Sequence, residues 1–217
     1  MASSPRREKT HEEPVMRPAS GFPAKQGMYN PAFEKDACGL AMVATLRGEP
    51  GHDIVELALT ALRNLEHRGA IGSDAGTGDG AGLLTQMPDA FLRAVVDFEL
   101  PPVGEYAAGM AFLPLDETAR AEIKTGVERI AQTEGLTVLG WREVPTEQEH
   151  LGKLAYDARP HFEQLFVSRP AVGDAPALSG IDLDRRVYRL RKRARREHDA
   201  YFVTPSARPL VYQGPVC

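Results

Sequence analysis

With 217 residues, 42% of them hydrophobic, the chain is long enough to bury the core of one large domain or two small ones. Its formal net charge of −4 gives no overall attraction to nucleic acid, and no apolar run approaches the roughly eighteen residues of a membrane span, so we expect no membrane partner. The only two cysteines are far apart, which argues against a disulfide framework or a CxxC metal site and favours a reducing, cytoplasmic location.

The N-terminal part of the chain differs in composition from the rest. Residues 1–29 are rich in proline, serine and charge and poor in large apolar side chains. Such a segment cannot bury enough apolar surface to offset the entropy lost on ordering. We therefore predict that residues 1–37 form a disordered leader or propeptide ahead of a domain at residues 38–217.

An apolar run and then a periodic segment predict a buried strand followed by a helix. The run "GLAMVATL", residues 39–46, starts directly after Cys38 and ends at the turn signal "RGEPG". In "HDIVELALTALRNLEHRG" apolar residues recur every three or four positions, with Asp53 near the start as a candidate cap. His67 and Arg68 stand before a glycine, which predicts a cationic helix C-terminus.

The segment "GAIGSDAGTGDGAG" concentrates glycine and predicts a loop. Clustered glycines let backbone N–H groups approach a phosphate. The segment nevertheless lacks the Gly-Lys-Ser/Thr ending of a P-loop, and a strand rather than a helix follows it. Tight turning is the better explanation, and Asp74 and Asp79 are then turn residues.

Strands and helices recur through the rest of the chain. We predict four strands, at "LLTQMP", "YAAGMAFLPL", "LTVLGWREV" and "HFEQLFVSR", and two short strands within "AYFVTPSARPLVYQG". Helices are expected at "PDAFLRAVVDF", with Pro88 in its first turn, and at "DETARAEIKTGVERIAQTEG", which Gly135 closes. This mixture indicates a layered domain of the α+β type.

The basic run "IDLDRRVYRLRKRARREHD" also predicts a helix. Apolar residues share helical spacing within it, so that one side can pack while the arginines face water. Tyr188 is the one aromatic residue in this run that could stack on a base. A nucleic-acid site is the alternative, but the pattern favours a solvated face and no nucleic-acid partner. The predicted packing residues are Ile181, Val187, Leu190 and Ala194.

Residue type alone leaves Cys38 with two interpretations. Free cysteine is among the most buried residue types, so Cys38 can be a small hydrophobe at the start of a strand. The other cysteine, Cys217, is the last residue of the sequence, which leaves Cys38 as the internal position where thiol chemistry could take place.

The motifs around Cys38 occur in an order that resembles the class II glutamine amidotransferases. "CGL" comes first, "EHRGA" follows one helix later, and "DGAGLL" comes next. The stretches "GEPGHDIVELALTALRNLEHRGAIGSDAGTGDGAGLLTQMPDAFLR" and "VLGWREVPTEQEHLGKLAYDARPHFEQLFV" are similar to the glutaminase domain of the glutamate synthase large subunit, as is "LVYQG". The resemblance extends from about Tyr29 to Gly214.

The resemblance implies an N-terminal-nucleophile hydrolase with a four-layer αββα sandwich. It implies that self-cleavage after Ala37 makes Cys38 the first residue of the mature protein. Cys38 would then hydrolyse glutamine to glutamate and ammonia through a thioester, and the ammonia would pass to 2-oxoglutarate in the whole enzyme. For Arg68 it implies a place lining the pocket, beside the alternative of a helix-end cation.

The chemistry of an N-terminal cysteine fits this role. A thiol with a pKa of about 8.5 is mostly protonated near neutrality, whereas an α-amino group with a pKa of about 7.7–8.0 can accept its proton. One residue therefore supplies both nucleophile and base once its peptide bond to Ala37 is cut.

The resemblance also implies other parts of a larger enzyme. It implies no cofactor in this segment, with FMN and an iron–sulfur cluster elsewhere in the large subunit, and a separate small subunit as partner. An "HQRFSTNT"-like segment and an Asn-Gly pair, which the family carries later in the domain, do not occur in the sequence. We therefore expect an incomplete, truncated sandwich. A catalytically inactive remnant acting as a binding module, or another N-terminal-nucleophile amidohydrolase, remain alternatives.

Overall fold

The computed structural model describes residues 25–27, 39–46, 48–65, 77–78 and 80–214. The chain divides into two units, Met1–Ala37 and Cys38–Cys217, and all helices and strands named below belong to the second unit. The proposed leader therefore lies outside the described residues, apart from residues 25–27.

The described part of the second unit contains helices and strands in mixed order. The helices are α1 (His52–Asn64), α2 (Asp89–Val95), α3 (Glu117–Thr133), α4 (Lys153–Ala158) and α5 (Gly180–His198). The strands are β1 (Ala81–Gln86), β2 (Tyr106–Leu113), β3 (Thr137–Glu143), β4 (His161–Ser168), β5 (Tyr201–Phe202) and β6 (Pro209–Gly214). The short helix α4 is the one element that the sequence patterns did not predict.

Two antiparallel sheets form the framework of this unit. The larger has the strand order β3–β4–β2–β5, and the smaller consists of β1 and β6. All neighbours in both sheets run antiparallel, and a register shift between Val138 and Gly140 interrupts the pairing of β3 with β4. The fold class α+β is therefore confirmed, with two antiparallel sheets.

The two central strands of the larger sheet are buried on both faces. Seven of eight residues are buried in β2 and likewise in β4. One face packs on α3 and α5 through Ala107, Ala111 and Leu165, which join the largest apolar cluster. The other face meets the smaller sheet, where Leu210 of β6 packs with Ala108 and Phe166. Strands covered on both sides explain why these segments read as continuous apolar runs rather than alternating ones.

Helix α3 shows how the local sequence sets its own boundaries. The Asp116 carboxylate caps the first turn by accepting a hydrogen bond from the Ala119 backbone N–H at 2.7 Å. Val127 and Ile130 on the predicted apolar face are buried. Gly135, with φ 72°, ends the helix in a conformation that other residues rarely adopt.

A partly buried polar contact holds the connection between the two sheets. Asp184 of α5 accepts hydrogen bonds from the Ser206 hydroxyl at 3.0 Å and from the Ala207 N–H at 2.7 Å. It also pairs with Arg208 at 3.0 Å. Because these contacts lie between β5 and β6, they fix where β6 begins against the larger sheet.

The predicted buried strand at residues 39–46 is wrong. The structure gives this segment no regular hydrogen-bonded pairing, and Leu40 is 91% exposed. The apolar run satisfies the propensity for a strand, but a strand also needs a neighbour to accept its backbone hydrogen bonds.

Two further predictions differ in detail from the structure. Helix α1 is present, but its N-cap is Gly51 and Asp53 lies in the first turn without capping it. In α5 the predicted packing residues Val187, Leu190 and Ala194 are buried, whereas Ile181 is 49% exposed and Leu183 is buried instead. The helix face that packs begins two residues later than the position of Ile181 suggested.

Candidate active site

Cys38 and Arg68, the two candidate site residues, lie outside the described residues. Gly39 directly follows Cys38, and α1 ends at Asn64 shortly before Arg68. His67, Asp74 and Asp79 also fall outside the described residues. The roles predicted for these side chains from the sequence therefore stay predictions.

The described end of the glycine-rich loop contacts α4. The Ala155 backbone N–H donates to the Thr77 hydroxyl at 3.4 Å. Beyond α4, the Arg159 guanidinium lies 3.6 Å from the ring centre of Tyr156 and donates to its carbonyl oxygen at 2.6 Å. An unpredicted helix thus contacts Thr77 and carries an aromatic ring against which a cation packs.

Three polar side chains face the space between the two sheets. Gln164 of β4 is fully buried and accepts a hydrogen bond from Arg142 at its Oε1 atom, at 2.9 Å. Tyr212 of β6 and Thr85 of β1 carry buried hydroxyls on the face that meets the larger sheet. Sequence reasoning did not identify these residues. A polar residue inside the apolar run of β4 was the available signal.

A second polar cluster lies on the opposite face of β4. The buried Glu163 carboxylate contacts Lys124 of α3 at 2.6 Å, His161 at 3.3 Å and Arg120 at 3.7 Å. Because cations from α3 surround a carboxylate on the sheet, the cluster joins the helix to the strand.

Helix α5 turns its basic face outward, as the spacing predicted. Several of its arginines pair with acids of the chain, Arg185 with Asp182 at 2.7 Å and Arg193 with Glu134 at 3.1 Å. The hydrogen bond from Arg193 lowers the pKa of Glu197. The helix is therefore a partly neutralised, solvated surface over an apolar packing stripe.

The described ranges hold neither a metal-binding cluster nor a membrane-spanning helix. Within residues 25–27, 39–46, 48–65, 77–78 and 80–214, no group of three or more His, Cys, Asp or Glu side chains could hold a metal ion. No helix in this part of the chain is long and apolar enough to cross a membrane.

The sequence is similar to large chains of one enzyme family. Glutamate synthase [NADPH] large chain of Bacillus subtilis is 38% identical over 199 residues, which is 89% of this chain and 13% of that protein. Ferredoxin-dependent glutamate synthase 2 of Synechocystis is 40% identical over 188 residues, which is 84% of this chain and 12% of that protein. Glutamate synthase [NADH] of Schizosaccharomyces pombe is 35% identical over 204 residues, which is 90% of this chain and 10% of that protein. The chain thus spans 10–13% of the length of these relatives.

A sequence model of the family described as "Glutamine amidotransferases class-II" matches residues 38–217. The matched range contains every strand and helix of the two-sheet unit and begins at Cys38. Because the match covers most of the chain and the relatives agree with it, the chain belongs to the class II glutamine amidotransferases.

Proposed function

We propose that this chain is the glutaminase part of a glutamate synthase and that it hydrolyses glutamine to glutamate and ammonia. The observation that carries the proposal is the family match over residues 38–217. Relatives named as glutamate synthases cover 84–90% of the chain at 35–40% identity, which supports the same assignment. Glutamine is then the substrate.

Cys38 is the nucleophile of this reaction. Its thiol gives a proton to its own α-amino group, and the thiolate attacks the side-chain amide carbon of glutamine. The C–N bond breaks, ammonia leaves with a proton from the α-ammonium, and water hydrolyses the resulting thioester to glutamate. Two observations agree with this role. The family match begins at Cys38, and the chain divides into its two units between Ala37 and Cys38.

Processing is the first requirement of this mechanism. A nitrogen inside a peptide bond cannot accept the thiol proton, so residues 1–37 must be removed as a propeptide before Cys38 becomes active. The Cys38 thiol attacks the Ala37 carbonyl carbon, and the peptide C–N bond between Ala37 and Cys38 breaks as the released α-amine takes up a proton. Water then hydrolyses the resulting thioester, which releases the leader and restores the thiol.

Arg68 lines the pocket near the Cys38 thiol. Its guanidinium would hold an anionic group of the substrate, since arginine presents a planar fork of donors to carboxylates. The two observed sheets are the inner layers of a four-layer αββα sandwich, in which α3 and α5 cover one side. Contact between α1 and β1 supports a helical layer on the other side.

In the larger enzyme the ammonia passes to 2-oxoglutarate. FMN and an iron–sulfur cluster belong to other parts of the large subunit, and a small subunit is a further partner. The two cysteines of this chain are too few for the four cysteine ligands of such a cluster. The enzyme works in the cytoplasm.

The test uses the protein expressed from its own gene, with Cys38→Ala and Cys217→Ala as a matched pair of thiol variants. We expect intact mass spectrometry to find Cys38 as the mature N-terminus of the unsubstituted protein and of the Cys217→Ala variant. Both should release ammonia from glutamine, whereas Cys38→Ala should keep its leader and release none.

Three results would contradict the proposal in different ways. An active enzyme that still carries residues 1–37 would refute the role of the α-amine. A processed protein without glutaminase activity would favour an inactive remnant that serves as a binding module. Hydrolysis of a different amide in preference to glutamine would favour another N-terminal-nucleophile amidohydrolase.

A further inference from the structure

Strand β6 runs over the larger sheet so that its inward side chains meet β2 and β4 at successive levels. Leu210 packs with Ala108 and Phe166, and the position of a Cβ at Gly214 lies 3.9 Å from the Phe162 ring. Tyr212 stands between Leu210 and Gly214 and packs against both apolar clusters on this face.

Gln164 occupies the corresponding level on β4. It stands between Phe162 and Phe166 on the same face of the strand and pairs with Met110 of β2. Met110 belongs to the cluster against which Tyr212 packs. The Gln164 amide and the Tyr212 hydroxyl therefore face the same space between the two sheets.

The orientation of the Gln164 amide follows from its partner. Arg142 has donors and no acceptor, so the amide oxygen must be the atom that faces Arg142, at 2.9 Å. The Gln164 Nε2 group is then turned away from Arg142 and must find an acceptor elsewhere. Within the described part of the chain Nε2 has none, although the whole side chain is fully buried.

The Tyr212 hydroxyl is in the same situation. Its oxygen is buried and has no hydrogen-bond partner among the described residues. The Thr85 hydroxyl is also buried and has no partner in the described part of the chain, and Thr85 lies one diagonal step away on the same face of the β1–β6 pair. Buried polar atoms in proteins are almost always paired with protein groups or with ordered water.

We propose that Gln164 and Tyr212 bind a buried water molecule between the two sheets. Water can accept from Gln164 Nε2 and exchange a hydrogen bond with the Tyr212 hydroxyl, which leaves a further bond for a third polar group such as Thr85. A buried water typically makes about three such bonds. The atoms involved are closed off from solvent, so the bound water would be buried.

This water site would be a polar contact within the otherwise apolar interface between the sheets, and it would help to set the distance between them. Arg142 holds the amide from the edge strand β3, and Gln164 carries the contact through β4 to Tyr212. Arg142 is thereby a positioning residue for the water site. Strands of both sheets then depend on one shared hydrogen-bond network.

The direct test is a high-resolution crystal structure of the 217-residue chain. We expect electron density for a water within about 3.2 Å of both Gln164 Nε2 and the Tyr212 hydroxyl. A direct hydrogen bond between these two side chains with no water between them would overturn the proposal.

A stability measurement gives an independent test with opposite signs for the two outcomes. If the hydroxyl binds water, Tyr212→Phe should shift the folding equilibrium about tenfold toward the unfolded state. If the hydroxyl is unpaired, the same variant should fold equally well or better, because an unsatisfied buried group has been removed. Tyr188→Phe, at a tyrosine that is 55% exposed, is the matched control and should leave the equilibrium unchanged. An unchanged or raised stability of Tyr212→Phe would refute the water site.

Discussion

A cluster of three ionisable residues ties α2 to the start of β2. The fully buried Tyr106 donates its hydroxyl proton to Asp89 at 2.9 Å, and Arg93 donates to the other oxygen of Asp89, also at 2.9 Å. Arg93 further binds the carbonyl oxygens of Leu100, at 2.7 Å, and of Pro101. These contacts close the turn between α2 and β2.

The cluster makes stability depend on pH at both extremes. The hydrogen bond from Arg93 lowers the pKa of Asp89, so its contribution is present above about pH 4 and is lost as the pH falls through the lowered value. Burial, together with the hydrogen bond to Asp89, raises the pKa of Tyr106. Above about pH 10 the unfolded chain releases the Tyr106 proton while the folded chain retains it, so stability falls.

We predict that Tyr106→Phe lowers the free energy of unfolding at neutral pH by about 1.5–3 kcal/mol, the usual contribution of a hydrogen bond to a charged group. Between about pH 9 and 11 the stability of the variant should fall less than that of the unsubstituted chain, because the phenol that releases its proton is absent. Urea denaturation across this range measures both effects. If the free energy of unfolding falls with pH equally steeply in the variant and in the unsubstituted chain above pH 10, Tyr106 does not cause the loss of stability.

At the scale of elements, the contact between α3 and α5 depends on a glycine. A Cβ at Gly126 would lie 2.4 Å from the His198 ring, much closer than real Cβ contacts. The same pair of helices is joined by buried Glu134, which contacts Arg189 at 3.0 Å and Arg193 at 3.1 Å. Close approach and the ion pairs together fix how the two helices lie on the sheet.

We predict that Gly126→Ala destabilises the chain. Alanine gains up to about 1 kcal/mol over glycine in a helix interior, whereas forcing an extra carbon into a packed site costs about 1–3 kcal/mol. The net change should therefore be a lower urea midpoint. In a His198→Ala background, where the ring is absent, the same change should raise the midpoint. Destabilisation of equal size in both backgrounds would mean that the ring is not the obstacle.

At the scale of the whole molecule, charge is distributed unevenly. Helix α5 carries eight Lys and Arg residues against three Asp and Glu, while the whole chain has a net charge of −4. Part of the basic face is neutralised within the chain, as by the pair of Arg196 with Glu197 at 3.8 Å. The Lys192 ammonium lies 5.7 Å from the ring centre of Tyr188 and thus occupies one face of that ring.

We predict that the chain binds single-stranded DNA or RNA no more tightly than about 10⁻⁶ M at physiological salt, the range of non-specific contacts. Any binding should fall steeply as salt rises, because it depends on release of counterions from phosphates. Fluorescence anisotropy with labelled oligonucleotides at two salt concentrations measures this. Tight, sequence-selective binding that persists at physiological salt would contradict the assignment of α5 as a solvated face.

The local sequence was sufficient for most helices and strands. In α3 the cap at Asp116, the apolar spacing and Gly135 are properties of neighbouring residues, so they could be read without the fold. The same holds for β2 and β4, whose apolar runs are typical of strands covered on both faces. The assignment of Cys38 and Arg68 as site residues also comes from the sequence, through the order of the motifs around them, and their roles stay predictions.

Contacts between distant residues decided what the sequence could not. The segment 39–46 has the residues of a strand, yet it is exposed, because a strand forms only where another strand pairs with it. The start of the packed face of α5, at Leu183 rather than Ile181, depends on the helix and sheet beneath it. Gln164 and Tyr212 face one space only because two sheets pack face to face, since these residues are far apart in the chain and only packing brings buried polar groups together.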